Sequence, residues 1–213
     1  MEKHTIGSIL SFGCYDWRVL DIQGESALII TEEIIEQRPY HNVLMPITWA
    51  ECDMRKYLNG EFYNKFTDEE KSRIITVTNK TPDNPWFGTR GGDDTEDNIF
   101  NLTIEDVVCK YFGDSSALLF NRGKNQIYWF QRKDINNSKR KATYKGNPAQ
   151  WHLRTPGRYQ YRITNVGGCG SAHITGNEVK YLSVKISDIK HSKRRKAKDE
   201  DHMGIRPALW LKL

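Results

Sequence analysis

Paired cysteines are missing from this sequence. It contains four cysteines in 213 residues, and none of them belongs to a C-x-x-C pair. The spacing therefore gives no indication of a zinc site or of a thioredoxin-like redox motif. We expect free thiols in a reducing compartment at Cys14, Cys52, Cys109 and Cys169.

Long apolar runs are missing as well. The first residues, Met1-Glu2-Lys3-His4, precede a short mixed stretch and not the apolar region of a secretory signal. No run of 18 apolar residues is present that would cross a bilayer as a helix. We therefore expect a cytoplasmic protein that makes no use of a membrane.

Motifs of well-known catalytic sites are also absent. The sequence has no H-E-x-x-H pattern, no P-loop and no G-x-G-x-x-G, and its six histidines are scattered. Gly167-Gly168-Cys169-Gly170 is rich in glycine but has no strand before it and helix after it, so it predicts a tight turn. No Ser/His/Asp arrangement can be read, and we predict neither a catalytic residue nor a cofactor.

The composition is nevertheless that of a folded protein. Only 38% of the residues are hydrophobic and the mean hydropathy is −0.70, but 6 Trp, 10 Tyr and 8 Phe are spread along the chain. A chain of this length buries a core without disulfides or metals. We expect one domain over residues 1–213, with a net charge of +5.

Local patterns predict both strands and helices. Besides the hairpin described next, strands are predicted at residues 75–78, 126–130, 159–165, 171–175 and 179–186. Trp17–Gln23 and Ala27–Thr31 flank a short turn with a glycine, which is typical of a β-hairpin. A threonine followed three residues later by an acidic residue predicts a helix start, and Asn59-Gly60 predicts the end of the first helix at Leu58. These pairs are Thr48 with Glu51, Thr67 with Glu70, and Thr103 with Asp106.

Two stretches in the C-terminal half dominate the pattern. Gly204–Leu213 alternates as a strand, with Pro207 expected at the start of the strand or on a sheet edge, and Trp151–Gly157 is its expected neighbour. We interpret Trp151 and Trp210 as core, and Arg154 and Arg206 as buried structural donors. The alternative is that one of the arginines opens onto a pocket and binds an anion. The candidate carboxylate neighbours are Glu51, Asp97, Glu105 and Asp106.

The order of these motifs resembles a bacterial and phage domain family of unknown function. The match runs along almost the whole chain, and His152 stands where the family has a second tryptophan. The matching segments are Trp17-Arg18-Val19-Leu20, Ala27-Leu28-Ile29-Ile30-Thr31-Glu32, Thr48-Trp49, Tyr57-Leu58-Asn59, Phe62-Tyr63-Asn64, Thr95-x-Asp97, Gln150-Trp151-His152-Leu153-Arg154-Thr155-Pro156-Gly157 and Gly204-Ile205-Arg206-Pro207-Ala208-Leu209-Trp210.

The closing Gly204-Ile205-Arg206-Pro207 also resembles the end of C-type-lectin-like and formylglycine-generating-enzyme-like domains. The resemblance implies an α+β fold of the C-type-lectin-like kind. Such a fold has a twisted, mostly antiparallel sheet, two or three helices and long irregular loops. It also implies that an irregular face near the last strand carries ligand contacts, although fold alone does not fix function.

We predict a non-catalytic recognition module with a protein partner. Tyrosine and asparagine give contact area and hydrogen bonding at low entropic cost, which suits such a face. The expected ligand-binding residues are Tyr159, Tyr161, Arg162, Asn165, His173 and Asn177, with Trp86 at the rim.

A basic insertion at about residues 190–202 supports an alternative, the binding of nucleic acid. Its cationic residues include Lys193, Arg194, Arg195 and Lys196. The acidic run Asp199-Glu200-Asp201 directly after it neutralises part of this charge.

Two further hypotheses involve metals. A copper-dependent thiol oxidase of the formylglycine-generating type would use Cys109 and Cys169, because soft thiolates favour copper. Residues 93–97 form an acidic loop. Its Asp93, Asp94 and Asp97 are weak candidates for Ca²⁺ ligands, but their spacing is not that of an EF-hand. We predict no metal site.

Overall fold

The computed structural model describes residues 4–123, 133–180 and 203–213. Three expectations lie wholly or mostly outside this part of the chain. They are the strand predicted at Gln126–Phe130, the strand predicted at Val179–Ile186 and the basic insertion with Lys193, Arg194, Arg195 and Lys196.

The first sheet has five strands: β1 (Ile9–Phe12), β2 (Tyr15–Gln23), β3 (Ser26–Thr31), β5 (Ile74–Ile75) and β14 (Ala208–Lys212). Their order is β1-β2-β3-β14-β5, and all neighbours are antiparallel. The predicted hairpin is confirmed, and Gly24 takes the left-handed conformation (φ +59°) that its tight turn requires. The strand predicted near the end of the chain is also confirmed, and it lies inside the sheet.

The second sheet contains β4 (Glu36–Gln37), β10 (Trp151–Pro156), β11 (Arg162–Val166), β12 (Ala172–Glu178) and β13 (Gly204–Ile205). The order is β12-β11-β10-β13-β4. Trp151 pairs with Gly204 in parallel, so the two C-terminal signature stretches are indeed neighbours. β11 begins later than its alternation predicted, because the amide of Arg162 donates to the carbonyl of Tyr159 (2.9 Å) and closes a turn there.

Two short ribbons complete the strands of the described residues. β6 (Val77–Asn79) pairs with β7 (Thr95–Asp97), and β8 (Thr143–Tyr144) pairs with β9 (Asn147–Pro148). The strand predicted at residues 75–78 is therefore divided at Thr76 between the first sheet and a ribbon.

The helical segments are short. They comprise α1 (Asp53–Tyr57), α2 (Asp68–Arg73), α3 (Ser116–Phe120) and α4 (Asn137–Arg140). α1 runs on as a π-helical turn over Leu58–Phe62 and a 3₁₀ turn over Tyr63–Lys65. A second π-helical turn covers Asp106–Lys110.

The first predicted capping box is wrong. α1 begins after Cys52, whose Sγ accepts from the amide of Arg55, while Thr48 stays in the preceding turn. Asn59 does not end the helix either, because its Oδ1 accepts from the amide of Asn98 (2.8 Å) and is used in tertiary structure. The boxes at Thr67 and Thr103 are confirmed by reciprocal bonds to Glu70 and Asp106.

The fold is α+β with mostly antiparallel sheets and few helices, as predicted. Its core includes three fully buried tryptophans, Trp17, Trp49 and Trp151. Among the residues that the structure describes, no helix has the length and apolar character to cross a bilayer.

Candidate recognition surface

The turn between β10 and β11 presents two tyrosines. The rings of Tyr159 and Tyr161 stack with centroids 5.4 Å apart and planes inclined by 10°. Tyr159 is 45% exposed, and Tyr161 is half-buried. Stacking fixes both rings before any ligand arrives, so this turn offers a rigid aromatic platform.

A loop with three consecutive exposed apolar residues runs beside this turn. Val43, Leu44 and Met45 are 56%, 51% and 43% exposed. The loop is tied to the turn at Ile47, whose amide donates to the carbonyl of Gln160 (3.2 Å). We call Val43, Leu44, Met45, Tyr159 and Tyr161 the tyrosine surface.

Arginines lie at one side of the tyrosine surface. The guanidinium of Arg158 lies 5.3 Å from the ring centroid of Tyr159 and 5.5 Å from that of Phe87. Arg122 lies 5.2 Å from the Phe87 centroid. Cations at these distances are attracted to the faces of aromatic rings. The tyrosine surface is therefore apolar at its centre and positively charged along the side where the arginines lie.

The Trp86 loop was expected at the rim, but the tryptophan itself is buried at 7% exposure. Asn84 fixes this loop, because its Nδ2 donates to the carbonyls of Pro156 (2.8 Å) and Ile174 (3.0 Å). Phe87, the next residue after Trp86, is the one that reaches the edge of the surface.

The other residues of the predicted face lie on β11 and β12. Asn165 is completely buried, and its Nδ2 donates to Oε1 of Gln150 (3.1 Å), so this candidate ligand-binding residue lies in the interior and not on an open face. Asn177 reaches the same Oε1 at 3.3 Å, and Arg162 Nη1 donates to the carbonyl of Gly176 at 3.4 Å. These contacts hold the two strands together.

A contact that the sequence analysis missed joins Cys169, Ser171 and His173. Ser171 Oγ lies 3.0 Å from His173 Nε2 and 3.1 Å from Cys169 Sγ. A hydroxyl beside an imidazole is the elementary pair of many nucleophilic sites. Ser171 is only 1% exposed, however, and its carbonyl closes the Gly167 turn, so its position suits a structural role.

The two candidate oxidase cysteines lie on different elements. Cys109 belongs to the second π-helical turn, and Cys169 belongs to the glycine turn before β12. Burial raises the pKa of the Cys109 thiol to about 11, and the nearby carboxylates of Glu105 and Asp114 act in the same direction. A thiol with a raised pKa carries little thiolate at neutral pH and is a poor nucleophile or copper ligand.

The acidic loop contains one structural carboxylate. Asp97 is completely buried, and it accepts from Arg55 Nε (2.6 Å), Thr95 Oγ1 (2.7 Å) and Trp49 Nε1 (2.9 Å). Asp93 and Asp94 are exposed. In the described ranges, no group of three or more His, Cys, Asp or Glu residues is arranged to hold a metal ion.

Both signature arginines are buried structural donors. Arg154 Nη1 donates to the carbonyl of Asn101 (2.5 Å) and lies 3.9 Å from Asp106. Burial alone would raise the pKa of Asp106, but Arg154 and the hydrogen bonds from Thr103 hold that pKa below its usual value. Of the four proposed carboxylate neighbours, Asp106 is the one that forms an ion pair with Arg154.

Arg206 joins β13 to β3. Its Nε donates to the carbonyl of Thr31 (2.8 Å), and its Nη2 donates to the carbonyl of Glu32 (3.1 Å). The guanidinium lies 5.3 Å from the Trp151 ring centroid. Trp210 is half-buried and packs against the core.

The comparisons with known proteins place the chain in a family. Residues 24–213 match the family described as Domain of unknown function (DUF6273), and the chain belongs to this family. Neither a curated protein nor a solved structure matches the chain.

Proposed function

We propose that this member of a family of unknown function is a non-catalytic recognition module that binds a protein partner through the tyrosine surface. The observation that carries the proposal is the stacked pair Tyr159 and Tyr161 beside the exposed run Val43-Leu44-Met45. Tyrosine and methionine are enriched at protein interfaces, while consecutive exposed apolar residues are unusual on a monomer surface.

The arrangement resembles an interface hot spot. Such sites combine aromatic anchors at the centre with a surrounding that excludes water, and arginine is frequent in them. Tyr159 and Tyr161 would serve as anchors, while Arg158 and Arg122 would contact acidic groups of the partner at the edge. Arg162 and Asn177, at the ends of β11 and β12 nearest to this turn, remain candidate contact residues, whereas His173 pairs with Asn165 farther along the two strands.

A C-type-lectin-like architecture is part of the proposal. Its support is the pairing of β14 with the N-terminal hairpin strand β3, together with the long loops that join the second sheet to the rest. An experimental structure that superposes on C-type-lectin-like domains strand by strand would establish it. A different strand order would refute it.

Binding of the partner is tested by capture from host lysate at low and high salt. We expect a protein partner that resists high salt and is lost with Tyr159→Ala/Tyr161→Ala. A loss of affinity of roughly 30-fold or more, about 2 kcal/mol, is typical of hot-spot aromatics. Tyr144→Ala, which removes a half-buried tyrosine of β8, is the matched control and should keep the partner.

Other outcomes select the alternatives. Capture of nucleic acid that is released by moderate salt and lost when Lys193–Lys196 are neutralised would favour nucleic-acid binding. Stoichiometric Cu(I) binding that Cys109→Ser or Cys169→Ser abolishes would favour the oxidase. Retention of the protein partner by the double tyrosine variant would remove the tyrosine surface from consideration.

A further inference from the structure

A cavity of about 370 Å³ lies beside the first sheet, and it shares no lining residue with the tyrosine surface. Its wall is formed by β2 and α4, together with residues that directly follow β3 and the second π-helical turn. Its lining includes Arg18, Glu32, Tyr111, Lys139, Lys141 and Arg206. The volume is within the range that small-molecule sites occupy.

The cavity is strongly cationic. Arg18, Lys139, Lys141 and Arg206 line it, against the single carboxylate of Glu32. That carboxylate is already engaged, because Arg18 Nε donates to its Oε2 (2.8 Å) and Arg18 Nη2 pairs with its Oε1. Four cations and one carboxylate leave a surplus of three positive charges at the wall.

Arg206 lies at this wall with an incompletely paired guanidinium. The side chain is only 2% exposed, and two of its nitrogens are committed to the carbonyls of Thr31 and Glu32. Nη1 is itself buried and has no hydrogen-bond partner among the described residues. An incompletely paired buried guanidinium is costly, so an anion in the adjacent cavity would stabilise its charge.

The electrostatics of Arg206 agree with this geometry. Burial lowers the pKa of Arg206 to about 10, and the neighbouring charge of Arg18 lowers it further, while Glu32 acts in the opposite direction. An anion in the cavity would compensate the buried guanidinium and offset the repulsion between the two arginines.

We propose that this cavity binds the phosphate group of a small-molecule phosphate ester. A phosphate carries about −1.5 to −2 charges at pH 7 and offers three acceptor oxygens, which matches the surplus of cations better than one carboxylate does. The guanidinium of Arg206 supplies fixed positive charge beside the cavity, and Lys139 and Lys141 supply charge on long, flexible side chains. Neither lysine is buried, so both can be changed without disturbing the core.

The test titrates the full chain with inorganic phosphate and pyrophosphate, with acetate at matched ionic strength as the control anion. Calorimetry measures affinity, and ¹⁵N NMR follows the Nε–Hε resonance of Arg206. We expect saturable binding of phosphate or pyrophosphate that shifts this resonance, and no saturable binding of acetate. Lys139→Gln/Lys141→Gln should weaken binding about tenfold or more, which corresponds to about 1.4 kcal/mol.

Lys56→Gln/Lys180→Gln is the matched control, since it removes the same charge at exposed lysines outside the cavity wall. If both double variants weakened phosphate binding equally, the affinity would depend on the overall surface charge and not on the cavity, and the proposal would be overturned. An absence of saturable phosphate binding, or saturable binding without a shift of Arg206, would also overturn it. Tyr159→Ala/Tyr161→Ala should keep phosphate binding, which separates this proposal from the one for the tyrosine surface.

Discussion

His152 is a completely buried imidazole in β10. Its Nε2 lies 3.0 Å from the carbonyl oxygen of Arg38, so this nitrogen carries the proton and donates. Burial lowers the pKa of His152 to about 4 from its ordinary 6.5, and the bond to Arg38 opposes that shift only in part. The neutral ring is therefore the form that the fold accommodates.

This environment makes stability depend on pH. Between pH 6.5 and about 4 the unfolded chain binds a proton at His152 and the native state does not, so the free energy of unfolding falls as the pH falls. The loss reaches on the order of 3 kcal/mol near pH 4. Urea unfolding of wild type and His152→Gln from pH 7 to pH 4 measures it.

The expected result is a shallower pH slope for His152→Gln, while His4→Gln keeps the wild-type slope. Parallel slopes for wild type and His152→Gln would show that protonation of His152 is not linked to unfolding.

Asp97 shows how much structure a single carboxylate holds. It accepts from side chains of α1, β6 and β7 and of the turn before α1, namely Arg55, Asn79, Thr95 and Trp49. Replacing it by alanine leaves these donors unsatisfied and Arg55 unpaired. We expect Asp97→Ala to lower the free energy of unfolding by about 3–5 kcal/mol, as for other broken buried pairs.

Asp93→Ala and Asp94→Ala are the controls, because both aspartates are exposed in the same loop. Each should change the free energy of unfolding by less than about 0.5 kcal/mol in urea titrations. Comparable losses at the three positions would mean that the loop acts as one charged unit and that the buried bonds of Asp97 matter little.

The turn between β11 and β12 illustrates packing between elements. Gly170 has φ +86°, and a Cβ there would lie 1.8 Å from the carbonyl oxygen of Asn137 in α4. Gly24 in the β2–β3 turn also has a positive φ (+59°), but a Cβ there would meet nothing within 4 Å. The two glycines therefore have a similar left-handed backbone conformation, but only Gly24 has room for a Cβ atom.

We expect Gly24→Ala to cost about 1–2 kcal/mol, the penalty of a left-handed backbone alone. Gly170→Ala should cost clearly more, because the turn must also move away from α4. Thermal unfolding of both variants measures the difference. Equal losses would mean that α4 yields to the added methyl group.

Sequence reasoning succeeded for several local patterns, although the equally local capping box at Thr48 does not form. The hairpin at Gly24 and the capping boxes at Thr67 and Thr103 depend on neighbouring residues, and all three form as predicted. Asn59 failed as a helix end because its side chain binds a segment forty residues away. No local pattern contains that information.

The candidate site was predicted in part for the same reason. Tyr159 and Tyr161 were identified because tyrosine is suited to contact surfaces, but the burial of Trp86 and Asn165 depends on tertiary packing. The exposure of Val43-Leu44-Met45 was missed, since apolar residues are expected inside. The cavity at Arg206 combines residues from six segments of the chain, and the sequence suggested only that an arginine could open onto a pocket.

The whole molecule depends on one central strand. Strand β14 lies between β3 and β5 in the first sheet, and its Leu209 is completely buried. Leu209→Ala should lower the free energy of unfolding by about 2–5 kcal/mol, because it leaves a cavity in the core. Leu213→Ala, at a position 41% exposed, is the control and should stay within about 0.5 kcal/mol of wild type in urea titrations.

The position of β14 also determines when the first sheet can be completed during synthesis. A ribosome delivers β3 and β5 long before residues 208–212, and both strands then keep a bare hydrogen-bonding edge. Unpaired edges of apolar strands invite association with other chains. The nascent protein would therefore need shielding by a chaperone until translation reaches β14, and premature termination upstream of it would yield an aggregating product.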